Sequence, residues 1–206
     1  MDKCIITISR QYGSGGRHVG ELIAKELGIP FYDKEIIDMS AEKSGMSPVY
    51  IEKSGESIPN AFLHNLIHSS YTNIDSVSYY DVPVSDKLFQ TQAAVIKELA
   101  EQGSCVIVGR CADYILRDNP ALVTVFLRAD VEDRVRHAIE HYNLPEARAK
   151  EKLKKIDRHR ENYYKYYTTR QWGAIDNFDI VLNTSFTGVE GAAAVLKTMI
   201  ETRGKL

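Results

Sequence analysis

The sequence predicts a doubly wound α/β fold: a parallel β-sheet flanked by helices on both faces. Three observations carry that reading. Short β-branched runs alternate with stretches whose apolar residues recur at helical spacing. The runs are largely continuous in apolar residues rather than apolar at every second one, as strands buried on both faces are. The first run opens into a glycine cluster that is followed at once by a helical pattern.

The elements follow in order. Cys4 to Ile8 is the first strand. Val19, Leu22, Ile23 and Leu27 then fall on one helix face, and Gly28 sits where a C-cap belongs. Phe31 and Tyr32 form the edge of a second strand. From Leu88 to Ala100, Phe89, Ala93, Ile96 and Ala100 share a helical face, with Gly103 as the stop. Ser104 to Gly109 reads as a buried strand ending in glycine, and Leu122–Leu127 and Phe178–Leu182 read as two more. Val189, Ala192, Ala193, Leu196, Met199 and Ile200 mark a last amphipathic helix. Right-handed crossovers make the doubly wound sheet the simplest way to join these pieces.

Two segments break the alternation. Residues 40–87 are polar, punctuated by Gly45, Pro48, Gly55, Pro59 and Pro83, with a predicted helix over 60–68 and no strong strand. Residues 128–170 are helical and charge-rich, with seven Arg and five Lys against eight Asp and Glu. That local balance of +4, in a chain of net charge −2, leaves about −6 for the rest. Both segments read as insertions into one core, so one domain over 1–206 is expected, its core formed by 1–39, 88–144 and 176–206.

Composition excludes several classes. At 206 residues, 44% hydrophobic and 26% charged, the chain is globular, not disordered. The near-neutral balance argues against a nucleic-acid partner. No apolar run is long enough to span a bilayer, and the start lacks a cleavable signal's apolar stretch. Cys4, Cys105 and Cys111 are odd in number and lack zinc-ligand spacing, which fits a reducing cytoplasm. His64 and His68 stand four apart without an HExxH glutamate, so packed or solvated histidines are expected there.

The strongest local signal is Ile8-Ser9-Arg10-Gln11-Tyr12-Gly13-Ser14-Gly15-Gly16-Arg17-His18. A strand runs into a glycine turn that opens a helix. Such a turn can wrap backbone N–H groups around a phosphate, and the helix N-terminus adds positive potential. A plain glycine turn between strand and helix fits the same residues. Against the pattern GxxxxGK[ST], setting Gly16-Arg17-His18 on G-K-[ST] puts Gln11 at the first glycine, Arg17 at the lysine and His18 at the Mg²⁺-binding hydroxyl. Arg17 carries the permanent charge that phosphate binding needs, with a different reach from lysine.

This block, together with Leu27-Gly28-Ile29-Pro30-Phe31-Tyr32-Asp33-Lys34-Glu35, resembles the opening of the cytidylate kinase-like proteins, a divergent branch of the P-loop nucleoside monophosphate kinases. The resemblance continues at Val108-Gly109-Arg110, Asp157-Arg158-His159-Arg160, Tyr163-Tyr164-Lys165-Tyr166-Tyr167 and Asn183-Thr184-Ser185, nearly the whole chain in matching order. It implies a P-loop kinase core with a helical nucleotide-binding insertion at about 40–87 and a helical, Arg-bearing lid at about 145–175. It implies ATP with Mg²⁺ as the phosphoryl donor and a small nucleotide, CMP or dCMP first, as acceptor. Gly13, Ser14, Gly15, Gly16, Arg17 and His18 would hold ATP.

Arg110 follows Gly109 at a predicted strand's carboxyl end, where open α/β sheets bind ligands. By resemblance it would hold the acceptor's α-phosphate; a surface arginine near a helix start is the plainer alternative. The family's next residue, Asp, is Cys111 here, and Asp113 is the nearest substitute. Arg158 and Arg160 lie on one helix, two residues apart, and so do not share a face. By resemblance they would act in catalysis with Arg17, closing over the transferred group; a solvated, salt-bridged helix is the alternative. The tyrosines at 163, 164, 166 and 167 read as packing residues. Arg128 and Arg134 are further lid-hinge or base-contact candidates. Asp33 fits either a substrate or water-held metal contact or the N-cap of a helix near Lys34. Ser14 is a further candidate to replace the missing metal hydroxyl. The same fold acting on another acceptor, or a non-catalytic nucleotide or phosphate sensor, fits these residues too.

Overall fold

A computed structural model describes residues 3–47, 49, 51 and 84–203. Most of the predicted acceptor-side segment, including the predicted helix over 60–68 and both histidines in it, lies outside the described residues.

The elements run β1 (Ile5–Arg10), α1 (Gly16–Leu27), β2 (Phe31–Tyr32), α2 (Glu35–Ser44), α3 (Val84–Gln102), β3 (Cys105–Val108), α4 (Ala112–Ile115), β4 (Leu122–Arg128), α5 (Val131–Tyr142), α6 (Glu146–Thr168), a 3-10 turn (Ile175–Asn177), β5 (Ile180–Asn183) and α7 (Thr184–Arg203). The five strands pair in the order β2-β3-β1-β4-β5, all parallel. The doubly wound parallel sheet is therefore the observed architecture.

Why the strands carry apolar residues on both faces, with Thr7 and Thr124 among the buried exceptions, is visible in their packing. Ile6 and Ile8 face α1 and α7, meeting Val19, Ile23, Ala192 and Leu196. Ile5 and Ile107 face the other way, onto Ile36, Ile96 and Leu99. With both faces covered, alternation would place polar groups in one core or the other. Each such fully buried Ile or Leu is worth about 1.5–3 kcal/mol of transfer free energy.

The chain moves from β3 on one side of β1 to β4 on the other. The strand order thus reverses at β1, and the crevice beyond its carboxyl end is the place where such sheets bind ligands. Among the described residues no helix is long and apolar enough to cross a membrane.

Candidate active site

The carboxyl end of β1 leads directly into the glycine turn. The Gln11 N–H donates to the Leu127 carbonyl at 2.9 Å, which continues the pairing with β4 one residue past the strand. The Gln11 carbonyl then accepts from the Ser14 N–H at 3.3 Å and the Ser14 hydroxyl at 2.9 Å, which closes the turn. Gly13 has φ +80 and Gly15 φ +72, both in the left-handed region that a side chain disfavours. Gly15 is the N-cap of α1, and the helix begins at Gly16. The first N–H groups of α1 have no partner inside the helix and point out of its positive end toward the crevice. This is the local geometry of an anion-binding helix start.

The carboxyl end of β3 supplies the opposite wall. Gly109, Arg110 and Cys111 are three consecutive left-handed residues, with φ 76, 58 and 54. For Arg110 and Cys111 that conformation costs on the order of 1–2 kcal/mol each. The kinked backbone keeps Arg110 9% exposed, at a pocket that it lines with Ser9, Arg10, Cys111, Arg160, Tyr163, Tyr164 and Trp172. Arg10, Arg110 and Arg160 thus share one pocket beside the glycine turn. Asp113, the second residue of α4, is 3% exposed. It accepts a hydrogen bond from the Tyr164 hydroxyl at 2.7 Å and one at 3.5 Å from Ser9. Burial pushes the Asp113 carboxyl above its ordinary range, and the Tyr164 hydroxyl opposes that rise in part. Burial and the neighbouring Asp113 charge likewise push the Tyr164 phenol up, so it stays a donor.

Helix α6 is docked on the turn by two side chains one helical turn apart. Asp157 accepts the Tyr12 N–H at 2.8 Å and pairs with Arg134 of α5. Arg134, 6% exposed, donates from Nε to the Tyr12 carbonyl at 2.8 Å. Both backbone polar groups of Tyr12 are thereby held by one ion pair. Arg160 donates to the Arg10 carbonyl at 3.1 Å and lies 5.7 Å from the centre of the Tyr12 ring. The tyrosines pack as expected. Tyr163 donates to Gln92 at 3.3 Å, Tyr167 donates to Asp86 at 3.1 Å and stacks on Phe89 at 4.0 Å, and α6 is fixed to α3 by these contacts.

The side chains of several sequence-predicted residues are engaged with other partners. Arg17 projects from α1 toward carboxylates: its Nε is 3.1 Å from Glu21 and 3.4 Å from Asp33. His18 faces a different cleft, where its ring lies 5.3 Å from those of both His137 and His141. His137 is pulled down to about 4, first by burial and then by the like charges of His141 and His18. The Asp33 side chain pairs with Arg17, while its N–H donates to Glu35 at 3.1 Å; Lys34 is the residue that caps α2. Ser14 spends its hydroxyl proton on the Gln11 carbonyl. Arg158 is exposed and Arg160 is not, because two residues on a helix are about 200° apart. Arg128 pairs with Asp130 at 3.8 Å in the open.

Sequence reasoning missed Asp157 and Arg10 as parts of the site and read Arg134 only as a hinge or base contact. Contacts across more than a hundred residues leave no spacing signal.

Residues 5–186 match the model of the cytidylate kinase-like family. The chain belongs to this family. The resemblance carried by the Gly and Arg/Tyr blocks is thus borne out. Comparison with curated proteins gives no match. Among solved structures, an uncharacterized protein from Eubacterium ventriosum ATCC 27560 is 27% identical with a TM-score of 0.72, over 98% of this chain and 99% of that one. Shikimate kinase from Bacteroides thetaiotaomicron is 14% identical at TM-score 0.56, covering 97% of this chain and 99% of that one. A gluconokinase from Sinorhizobium meliloti 1021 is 19% identical at TM-score 0.54, covering 97% and 95%. The last two show that this cytidylate kinase-like chain has the fold of P-loop kinases. Kinases of this fold generally use ATP and Mg²⁺.

Proposed function

We propose that the protein transfers the γ-phosphoryl group of Mg·ATP to a nucleoside monophosphate, CMP or dCMP first. One observation carries this reading. Arg10, Arg110 and Arg160 line a pocket at the carboxyl ends of β1 and β3, and Arg10 is the last strand residue before the glycine turn. Phosphoryl transfer asks the protein mainly for position and positive charge, and this pocket offers both.

In the proposed reaction the N–H groups from Gly13 to His18 cradle the triphosphate. Arg110 holds the acceptor's phosphate, fixed by its left-handed backbone. An oxygen of that phosphate attacks the γ-phosphorus in line. The bond to the oxygen bridging the β-phosphate breaks, and ADP leaves with that electron pair. Arg160, anchored on the Arg10 carbonyl, offsets charge on the moving group. Asp113 holds the Tyr164 hydroxyl and the wall of the acceptor side. Arg17 pairs with Glu21 and Asp33 on the surface of α1, one residue into the helix that the turn opens.

Mg²⁺ belongs here to the Mg·ATP substrate. Among the described residues no group of three His, Cys, Asp or Glu side chains is arranged to hold a metal. Residues about 40–87 are proposed to select the acceptor and about 145–175 to act as the lid that excludes water. A cytoplasmic setting suits a nucleotide kinase.

The names of the structural neighbours, shikimate kinase and gluconokinase, support a second reading, a kinase of the same fold for another small acceptor. An ADP-release assay with Mg·ATP and a panel of nucleotides, shikimate, gluconate and other small metabolites separates the two. Turnover that depends on CMP or dCMP supports the first. Turnover with a non-nucleotide alone transfers the site to the second. ATP binding without turnover on any acceptor leaves a nucleotide sensor and removes both.

A further inference from the structure

We infer that Arg10 supplies the fixed positive charge of the phosphate loop, and that it does so by exchanging places with the residue at position 16. The inference rests on the phosphotransferase reading above.

The backbone sets the register of the loop. Gly15 has φ +72 and caps α1, so it is the glycine that the chain requires immediately before the helix. Gly16 is the first helical residue and is not among the positive-φ glycines. Nothing in its own backbone calls for glycine. With Gly15 as the second glycine of GxxxxGK[ST], Gly16 falls on the lysine, Arg17 on the hydroxyl residue and Arg10 on the first glycine. In this register the two departures are reciprocal. A long cation stands where glycine is usual, and glycine stands where a long cation is usual.

The geometry explains the exchange. A Cβ placed on Gly16 would lie 2.7 Å from the Arg10 Cβ and 3.0 Å from its Cγ. The atoms it meets are the rigid base of the arginine, not its mobile end. Only one of the two positions can carry a side chain. The stem of Arg10 fills the space that a side chain at position 16 would leave by, and it reaches the pocket from the strand instead of from the helix. There it lies with Arg110 and Arg160. Its carbonyl is fixed by Arg160 at 3.1 Å, so the root of the side chain is anchored. A guanidinium on that root offers two parallel N–H donors to phosphate oxygens.

Calorimetry with Mg·ATP tests the exchange on four proteins: wild type, Arg10→Gly, Gly16→Lys and the double variant Arg10→Gly/Gly16→Lys. Thermal unfolding of each reports whether it is folded. Arg10→Gly is expected to weaken binding by roughly tenfold or more, the loss of a charge-assisted bidentate contact. Gly16→Lys alone is expected to lower the melting temperature without tightening binding. The double variant is expected to bind several-fold better than Arg10→Gly. A folded Arg10→Gly protein that binds as wild type does would overturn the inference and leave the phosphotransferase reading standing. A folded double variant no better than Arg10→Gly would also overturn it. Wild type that binds no nucleoside triphosphate at all would remove the reading and the inference together.

Discussion

The Asp157 carboxylate accepts the backbone N–H of Tyr12 at 2.8 Å, joining α6 to the glycine turn across most of the chain. The same carboxylate pairs with Arg134, which reaches the Tyr12 carbonyl from the other side. Tyr12 is the residue before Gly13, so its peptide planes set the mouth of the turn. Removing Asp157 strands a nearly buried guanidinium and a backbone donor together. Asp157→Ala is expected to lower stability by about 2–4 kcal/mol, below the full cost of breaking a buried pair because Asp157 keeps some access to water. The double variant Arg134→Met/Asp157→Leu is expected to be clearly more stable than Asp157→Ala. Chemical denaturation of both, compared with wild type, checks the sign.

His137 titrates at about 4 in the folded protein against about 6.5 when exposed. Between those values the unfolded chain binds the proton and the folded one does not, so stability rises with pH across this window. The neutral imidazole's contribution is complete above about pH 6.5 and is lost as the pH falls toward 4. The groups facing it include His18 from α1 and, from its own helix, His141, Glu140 and Tyr142, whose ring centre lies 5.6 Å away. His137→Asn is expected to flatten the fall in melting temperature between pH 6.5 and 4.5. An identical slope in the variant would assign the acid sensitivity to carboxylates instead.

The sheet was readable because its strands are continuous apolar runs, and a strand that is apolar on both faces has few other places to go. The glycine turn was readable for a related reason: three glycines in four residues, at 13, 15 and 16, have few uses between a strand and a helix. Its register was not. Gly15 and Gly16 are alike as letters, and only the backbone shows that one is required by φ and the other by the Arg10 stem. Arg158 and Arg160 could not be ranked either, since the helix phase that turns one inward depends on how Tyr163, Tyr164 and Tyr167 seat α6 on α3 and α4. Asp157 and Arg134 meet only because α5 and α6 pack side by side, a tertiary fact with no local pattern.

Asp113 separates stability from function. Its carboxyl is raised by burial, so the ionised form is penalised in the folded state. Relative to the unfolded chain, stability is therefore lost as the pH rises above the ordinary Asp range near 3.8. Asp113→Asn removes that loss and keeps an oxygen to accept from Tyr164. The variant is expected to melt at or above the wild-type temperature at pH 7. Its turnover is expected to fall, with the KM for the acceptor rising more than that for ATP. A variant that is both more stable and fully active would reduce Asp113 to a packing group.

The left-handed run at the end of β3 makes the last prediction. Gly109 precedes Arg110 with φ 76, and its N–H donates to the Ile8 carbonyl at 3.0 Å, which ties the run to β1. A Cβ at 109 would force a conformation costing about 1–2 kcal/mol or else rotate the peptide that aims Arg110. Gly109→Ala is therefore expected to lose stability of that order and to raise the acceptor KM. Arg110→Lys keeps the charge and the backbone but loses the planar fork. It is expected to raise the acceptor KM by roughly tenfold, with ATP affinity by calorimetry nearly unchanged. If Arg110→Lys instead weakened ATP and left the acceptor KM alone, Arg110 would belong to the donor side of the pocket, and the acceptor would have to be held by Arg160.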